Sequence, residues 1–163
     1  YEPYFYTVKG YAPGETALQE SKRGNITYSP EALEDMEKFS NLTRDLNKIN
    51  EENPAITTGK YIKENTVKHP YSQVIGMHTR DDKSNNEIFT INNFSHVQYP
   101  AHGIKQYYIK FPPGQWVEIL NTDDEIYGGD NNTNKGVVIN GNGRDNQPIN
   151  LSEHSTVLFK KIN

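Results

Sequence analysis

Gln73-Val74-Ile75-Gly76-Met77-His78-Thr79-Arg80, then Asp81-Asp82-Lys83-Ser84-Asn85-Asn86, then Glu87-Ile88-Phe89-Thr90-Ile91-Asn92-Asn93-Phe94 is the stretch on which the fold turns. Two runs rich in β-branched and aromatic residues flank six polar ones, which is the pattern of a β-hairpin with a polar loop. Downstream, further runs span Ile104 to Phe111, Gln115 to Thr122, Gly136 to Asn140, Ile149 to Ser152 and Ser155 to Ile162. Turn residues divide them: Pro112-Pro113-Gly114, Tyr127-Gly128-Gly129-Asp130 and Gly141-Asn142-Gly143. About seven short strands separated by such turns predict an antiparallel β-sandwich of Greek-key type.

Upstream the period changes from two to between three and four. Ser29 can cap a helix, Pro30 suits the first helical position, and Glu31, Glu34 and Asp35 put negative charge at the positive end of the helix dipole. Leu33, Met36, Phe39, Leu42, Leu46 and Ile49 then predict an amphipathic stripe that needs a covering surface. Pro54 disfavours helical geometry in the residue before it and stops the helix by Asn53. Before the helix, Tyr4 to Val8 reads as a short strand and the Gly- and polar-rich remainder up to Ser29 as an irregular loop. The expected organisation is therefore an irregular N-terminal segment, one helix, and an all-β domain.

Composition narrows the function classes. The 163 residues carry a net charge of −4, 33% hydrophobic residues and no Cys. Disulfides, thiolate nucleophiles and thiolate metal sites are excluded. Negative net charge argues against a phosphate-tracking surface, so no nucleic-acid partner is expected. No run of ~18 apolar residues is present, so no membrane partner is expected either, and a cytoplasmic location is. With few aliphatics, the eleven Tyr, six Phe and one Trp must build much of the core. The first residue is Tyr rather than Met, which suggests processing or a piece of a longer protein.

Catalytic chemistry finds little footing. No G-x-S-x-G elbow occurs. His69, His78, His96, His102 and His154 lack metal-ligand spacing, so a zinc site would have to be assembled from distant histidines, and no metal or other cofactor is expected. His78 and His96 read as hydrogen-bonded structural residues. Asp123, Asp124, Glu125 and Asp130 form the densest carboxylate cluster, yet neighbours on a strand point to opposite faces, so a solvated turn is the expectation. The Asp130 to Gly136 segment puts Gly one position late for a calcium loop, and Gly141 cannot supply the closing carboxylate. Sequons at Asn25, Asn41, Asn93, Asn131 and Asn150 follow from an Asn content of about one residue in nine. Trp116, Tyr127 and Tyr108 are the rings nominated for carbohydrate contact, set against a purely structural role in the core.

Three segments carry a resemblance. Leu42 through Asn53-Pro54-Ala55-Ile56 resembles the last barrel helix of α-amylase-superfamily enzymes, which runs into "E-x-P-A-L". The hairpin with its Asn93-Phe94-Ser95 ending is similar to the first strands of that superfamily's C-terminal β domain. Trp116-Val117-Glu118-Ile119-Leu120-Asn121-Thr122-Asp123-Asp124-Glu125-Ile126-Tyr127-Gly128-Gly129 resembles the "W-x-E-v-L-N-T-D-x-x-x-Y-G-G" segment of glycogen (1,4-α-glucan) branching enzymes. Near the expected eighth barrel strand, Lys9-Gly10-Tyr11 stands where the family has "G-x-E".

The resemblance implies that residues 1–56 correspond to the end of a (β/α)8 barrel and 57–163 to a C-terminal sandwich. The family's catalytic carboxylates belong to barrel strands matched by no position here, so the resemblance implies no catalytic residue in this chain. The implied partners are an α-glucan such as starch or glycogen, or the catalytic barrel itself. Two alternatives stand beside this one: a stand-alone starch- or glycogen-binding module, and the C-terminal domain of an α-amylase-type hydrolase.

Overall fold

The hairpin forms where its pattern puts it. In a computed structural model of the chain, which describes residues 30–99 and 107–162, β3 (Val74–Asp81) and β4 (Asn86–Asn93) pair antiparallel from Val74↔Asn93 to Asp81↔Asn86. The turn closes because Asp81 Oδ2 accepts from Ser84 N (2.8 Å) and Ser84 Oγ (2.6 Å), while Asn85 takes the left-handed conformation (φ 56) that Asn tolerates. Two short strands that carry too few residues to show a period, β1 (Lys60–Tyr61) and β2 (Val67–His69), also pair with β3.

The other strands are β5 (Tyr107–Lys110), β6 (Gly114–Asn121), β7 (Val138–Gly141), β8 (Asn146–Ile149) and β9 (Thr156–Lys161). The larger sheet runs β1-β3-β4-β9-β6-β7 with β2 also on β3, and β5 pairs with β8 in a second sheet. The last strand returns between β4 and β6, so the pairing that closes the domain is long-range. All pairings are antiparallel, as the sequence pattern predicts. One boundary differs: the run expected at Ile149 to Ser152 pairs instead over Asn146–Ile149, leaving Leu151 in a single bridge to Tyr99. Pro148 is tolerated there because, among the described strands, β8 pairs only with β5. The expected strand Tyr4–Val8, the Ser29 cap and the start of the Ile104 run lie outside the described residues.

The space between the sheets is aromatic. Phe89, Phe111, Trp116 and Phe159 are all fully buried, with Phe111 at 5.1 Å from Phe89 and 5.0 Å from Phe159, ring centre to ring centre. Val74, Ile91, Ile109, Ile149, Leu151 and Val157 fill the remainder. Alternation sends the neighbours of these residues to the opposite face, so Ile88 and Leu158 are buried on the outer side of the larger sheet. Leu120 joins them because a bulge between Glu118 and Leu120 shifts the register of β6 against β9.

Helix α1 (Pro30–Glu52), followed by the single turn α2 (Pro54–Thr57), covers that outer face. The expectation of one continuous stripe is corrected here. Leu33, Met36, Phe39 and Leu42 are spaced by threes, and each step of three falls about 60° short of a full turn. That drift carries Leu33 to the side opposite Leu42, but Phe39 lies only about 20° from Leu46, so position along the axis rather than face separates these two: Leu42, Leu46 and Ile49 pack on the sheet, whereas Phe39, nearer the N-terminus, is 68% exposed.

Candidate functional site

The most organised polar region is the segment after β6. Asp123 acts as its hub: Oδ1 accepts from Asp130 N (3.3 Å), and Oδ2 accepts from Asn132 N (3.0 Å) and Ser152 Oγ (2.7 Å). Asn121, almost fully buried, accepts from Asp123 N (3.0 Å) and donates to Asn132 O (3.3 Å). Asp124 caps the 3-10 turn Glu125–Tyr127, and Lys135 pairs with its carboxylate. Gly128 takes φ 93, and Gly129 sits so close that an added Cβ would lie 2.3 Å from the Asp123 carbonyl. The two glycines thus let the chain fold back against Asp123.

That folded-back segment presents Tyr127 to α1. Its hydroxyl donates to Asp45 Oδ2 (2.9 Å), and Asn41 Nδ2 reaches Ile126 O (3.5 Å). Burial first, and then the bond to Asp45, push the Tyr127 phenol far above its ordinary range. The same bond holds the Asp45 carboxylate below its ordinary value, helped by Arg44. At the helix's other end Asn53 is 2% exposed; its Nδ2 donates to Ile49 O (2.8 Å) and its Oδ1 accepts from Asn86 Nδ2 (3.1 Å). Asn86 Oδ1 in turn accepts from Ala55 N (3.1 Å). Between these two polar anchors lies an aliphatic seam of Leu42, Leu46, Ile49 and Ile56 on Ile88, Leu120 and Leu158. The whole arrangement is a seat for a helix, and its chemistry is that of docking.

The nominated sugar-contact rings meet different fates. Trp116 is fully buried, its Nε1 donates to Pro112 O (2.9 Å), and Phe89, Phe111 and the edge of His78 surround it, so no ring face is open to a sugar. That nomination is corrected, for the reason that an aliphatic-poor core needs its largest ring inside. Tyr127 is half-buried in the helix seat, and Tyr108 on β5 is 49% exposed. His78 is a structural histidine: Nδ1 faces Asn65 Nδ2 (2.9 Å) and Nε2 faces Glu87 Oε2 (2.8 Å), which fixes the tautomer with its proton on Nε2. Burial lowers its pKa. Among the described residues no three His, Asp or Glu side chains converge as metal ligands would.

The carboxylate cluster is a turn, as expected, and solvated at Glu125 and Asp130, but Asp124 is 3% exposed and Asp123 binds three donors of the neighbouring loops. Sequon asparagines are used as clamps. Asn93, 1% exposed, donates to Val97 O (2.9 Å) and Ser152 O (2.8 Å), and Asn150 donates to Thr133 O (2.6 Å). Glu118, inside the same network, accepts from Asn134 N and Nδ2 (both 2.8 Å) through Oε2, while Oε1 is buried with no partner among the described residues. Burial raises its pKa. What sequence reasoning missed is the pairing of Asp45 and Asn41 with the segment around Tyr127. The 4-and-3 spacing of Leu42, Leu46 and Ile49 marks the side of the helix on which Asp45 lies, but no local pattern names Tyr127 as its partner.

Among the described residues, no helix is long and apolar enough to cross a membrane. Comparison with protein-family models gives a match over residues 65–161 to the family described as "Alpha amylase, C-terminal all-beta domain". The matched span begins in the 3-10 turn before β2 and ends with β9, so it takes in both sheets and the helix-seat loop. It covers more than half of the chain, which therefore belongs to the alpha-amylase C-terminal all-beta domain family and carries the non-catalytic C-terminal domain of an amylase-superfamily protein.

Proposed function

We propose that the chain is the C-terminal end of an α-glucan enzyme of the 1,4-α-glucan branching type. In this reading residues 1–56 belong to the end of the catalytic (β/α)8 barrel, and 57–163 form a sandwich that holds the last barrel helix in place. The helix seat is the observation that carries it. Five matching positions of the branching-type segment Trp116 to Gly129 have a place in building that seat or the core behind it: Trp116 in the core, Leu120 in the seam, Asp123 as the loop hub, Tyr127 on the helix and Gly129 against Asp123. Leu33, Met36 and Phe39, which do not join the seam, supply the face that meets the rest of the barrel.

The test is the product of the full open reading frame, incubated with amylose. New α-1,6 branch points without a rise in reducing ends support the branching reading. A rise in reducing ends replaces it with the α-amylase-type hydrolase reading. The chain alone should neither branch nor hydrolyse, since a (β/α)8 barrel needs about 250 residues.

Glucan contact is a separate arm of the proposal and rests on Tyr108, the nominated ring with the most open surface. Affinity electrophoresis in glycogen gels should show weak retardation that Tyr108→Ala removes. Strong retardation would favour a stand-alone binding module.

A further inference from the structure

Away from the helix seat, the fold brings together two histidines that lie 58 positions apart in the sequence. His96 follows β4, His154 lies in the turn before β9, and both are exposed. His154 Nε2 and His96 Nδ1 are 2.8 Å apart, with ring planes at 85° and ring centres 4.3 Å apart. A straight N–H···N bond between two imidazoles would put the centres about 5 Å apart, so the ring axes are bent off the line joining the nitrogens. Two nitrogens held cis on one metal at about 2.0–2.1 Å lie about 2.9 Å apart at a right-angled centre and about 3.4 Å apart at a tetrahedral one. The observed 2.8 Å is that of a hydrogen bond between the two rings, and it needs to change by only about 0.1 Å to fit the right-angled case.

The pair is held by parts independent of the imidazoles. Asn93 ties the two loops together through Val97 O and Ser152 O, and its Oδ1 accepts from Ser95 N (3.0 Å) and Ser95 Oγ (2.7 Å). His154 N donates to Ser95 O (3.2 Å), and Ser155 Oγ to Ser152 O (2.7 Å). Both histidines therefore stand on a clamped base, the preorganisation that a chelate requires. The local field favours a cation: His154 lines a shallow cleft of ≈ 270 Å³ with Asp123, Asp130 and Glu153, and among the described residues no Lys or Arg contributes to its walls.

We propose that His96 and His154 chelate one divalent transition cation of right-angled coordination, Ni²⁺ or Cu²⁺ in class, with water in the remaining positions. Imidazole is a suitable donor for these ions. Bound there, the cation staples the loop after β4 to the turn before β9, the strand that closes the larger sheet.

The test is calorimetric titration of the full chain with Ni²⁺, read beside thermal melts. The wild type is expected to bind one Ni²⁺, and H96Q and H154Q each to weaken binding by about tenfold or more, while H69Q leaves it unchanged. Ni²⁺ should raise the melting temperature of wild type and H69Q but of neither H96Q nor H154Q. Circular dichroism of the two exposed-site variants checks that they fold, and each alone suffices as a test. Failure of the wild type to bind Ni²⁺, or equal affinity in wild type, H96Q and H154Q, overturns the proposal.

Discussion

The two faces of the larger sheet are built to different standards. The inner face meets the β5–β8 sheet through interlocked rings, Phe89, Phe111, Trp116 and Phe159, each with no exposed surface. The outer face meets α1 through a narrow aliphatic seam whose helix residues are all only partly covered, and it relies on polar anchors at either end. The inner face supplies the aromatic contact between the two sheets. The outer face is an interface, closer in character to a docking surface than to a core, because apolar area is small and position is set by directed hydrogen bonds.

That contrast can be broken at several points. Trp116→Ala removes the largest inner ring and strands Pro112 O, and should cost about 3–5 kcal/mol in urea unfolding. Loss of both sheets together is the expected outcome; a cost near that of a surface change would show that the inner face is not the foundation. Leu120→Ala, on the outer seam, should cost about 2 kcal/mol, at the low end for a Leu truncation because the helix can settle into the gap. Hydrogen exchange should then accelerate in α1 while β4, β6 and β9 stay protected. Equal acceleration in the strands would merge the two faces into one cooperative unit.

Tyr127→Phe deletes the bond to Asp45 and should cost about 1 kcal/mol, since a charge-assisted bond at a half-exposed position is screened. It should also raise the Asp45 pKa toward its ordinary value of 3.8, readable by NMR titration.

Two titratable groups on the inner side give the smallest effects, and of opposite sign. His78 has a folded pKa below its ordinary 6.5, so the unfolded chain binds more protons as pH falls, and stability is lost on acidification below about that value. Glu118 has a folded pKa above its ordinary 4.5, so its contribution is complete below that pH and lost as pH rises through the folded value. Glu118→Gln keeps an acceptor for Asn134 and buries no charge, and should stabilise the protein at pH 7 by up to about 1 kcal/mol with little effect near pH 4. Destabilisation at pH 7 would mean that the carboxylate, not its shape, holds the loop.

Much of this was legible before the structure. The hairpin was, because period-2 runs flank a polar loop whose Asp and Asn residues close it. The helix limits were too, since Pro30 and Pro54 act through covalent geometry on their immediate neighbours. β8 was placed too late, because Asn146-Gln147-Pro148 has no strand propensity and pairs only where β5 offers a free edge. Asn residues that read as compositional excess proved to be loop clamps, a role that depends on partners 16 to 59 positions away.

The sequence by itself determined the local elements, the all-β class and the family resemblance, because periodicity, turn chemistry and motif spacing act over a few residues. Only the tertiary structure decided which half of the helix stripe is covered, that Tyr127 meets Asp45, that Trp116 lies inside, and that His96 stands beside His154. Each of those depends on β9 returning between β4 and β6, a pairing across more than sixty residues that no local pattern encodes.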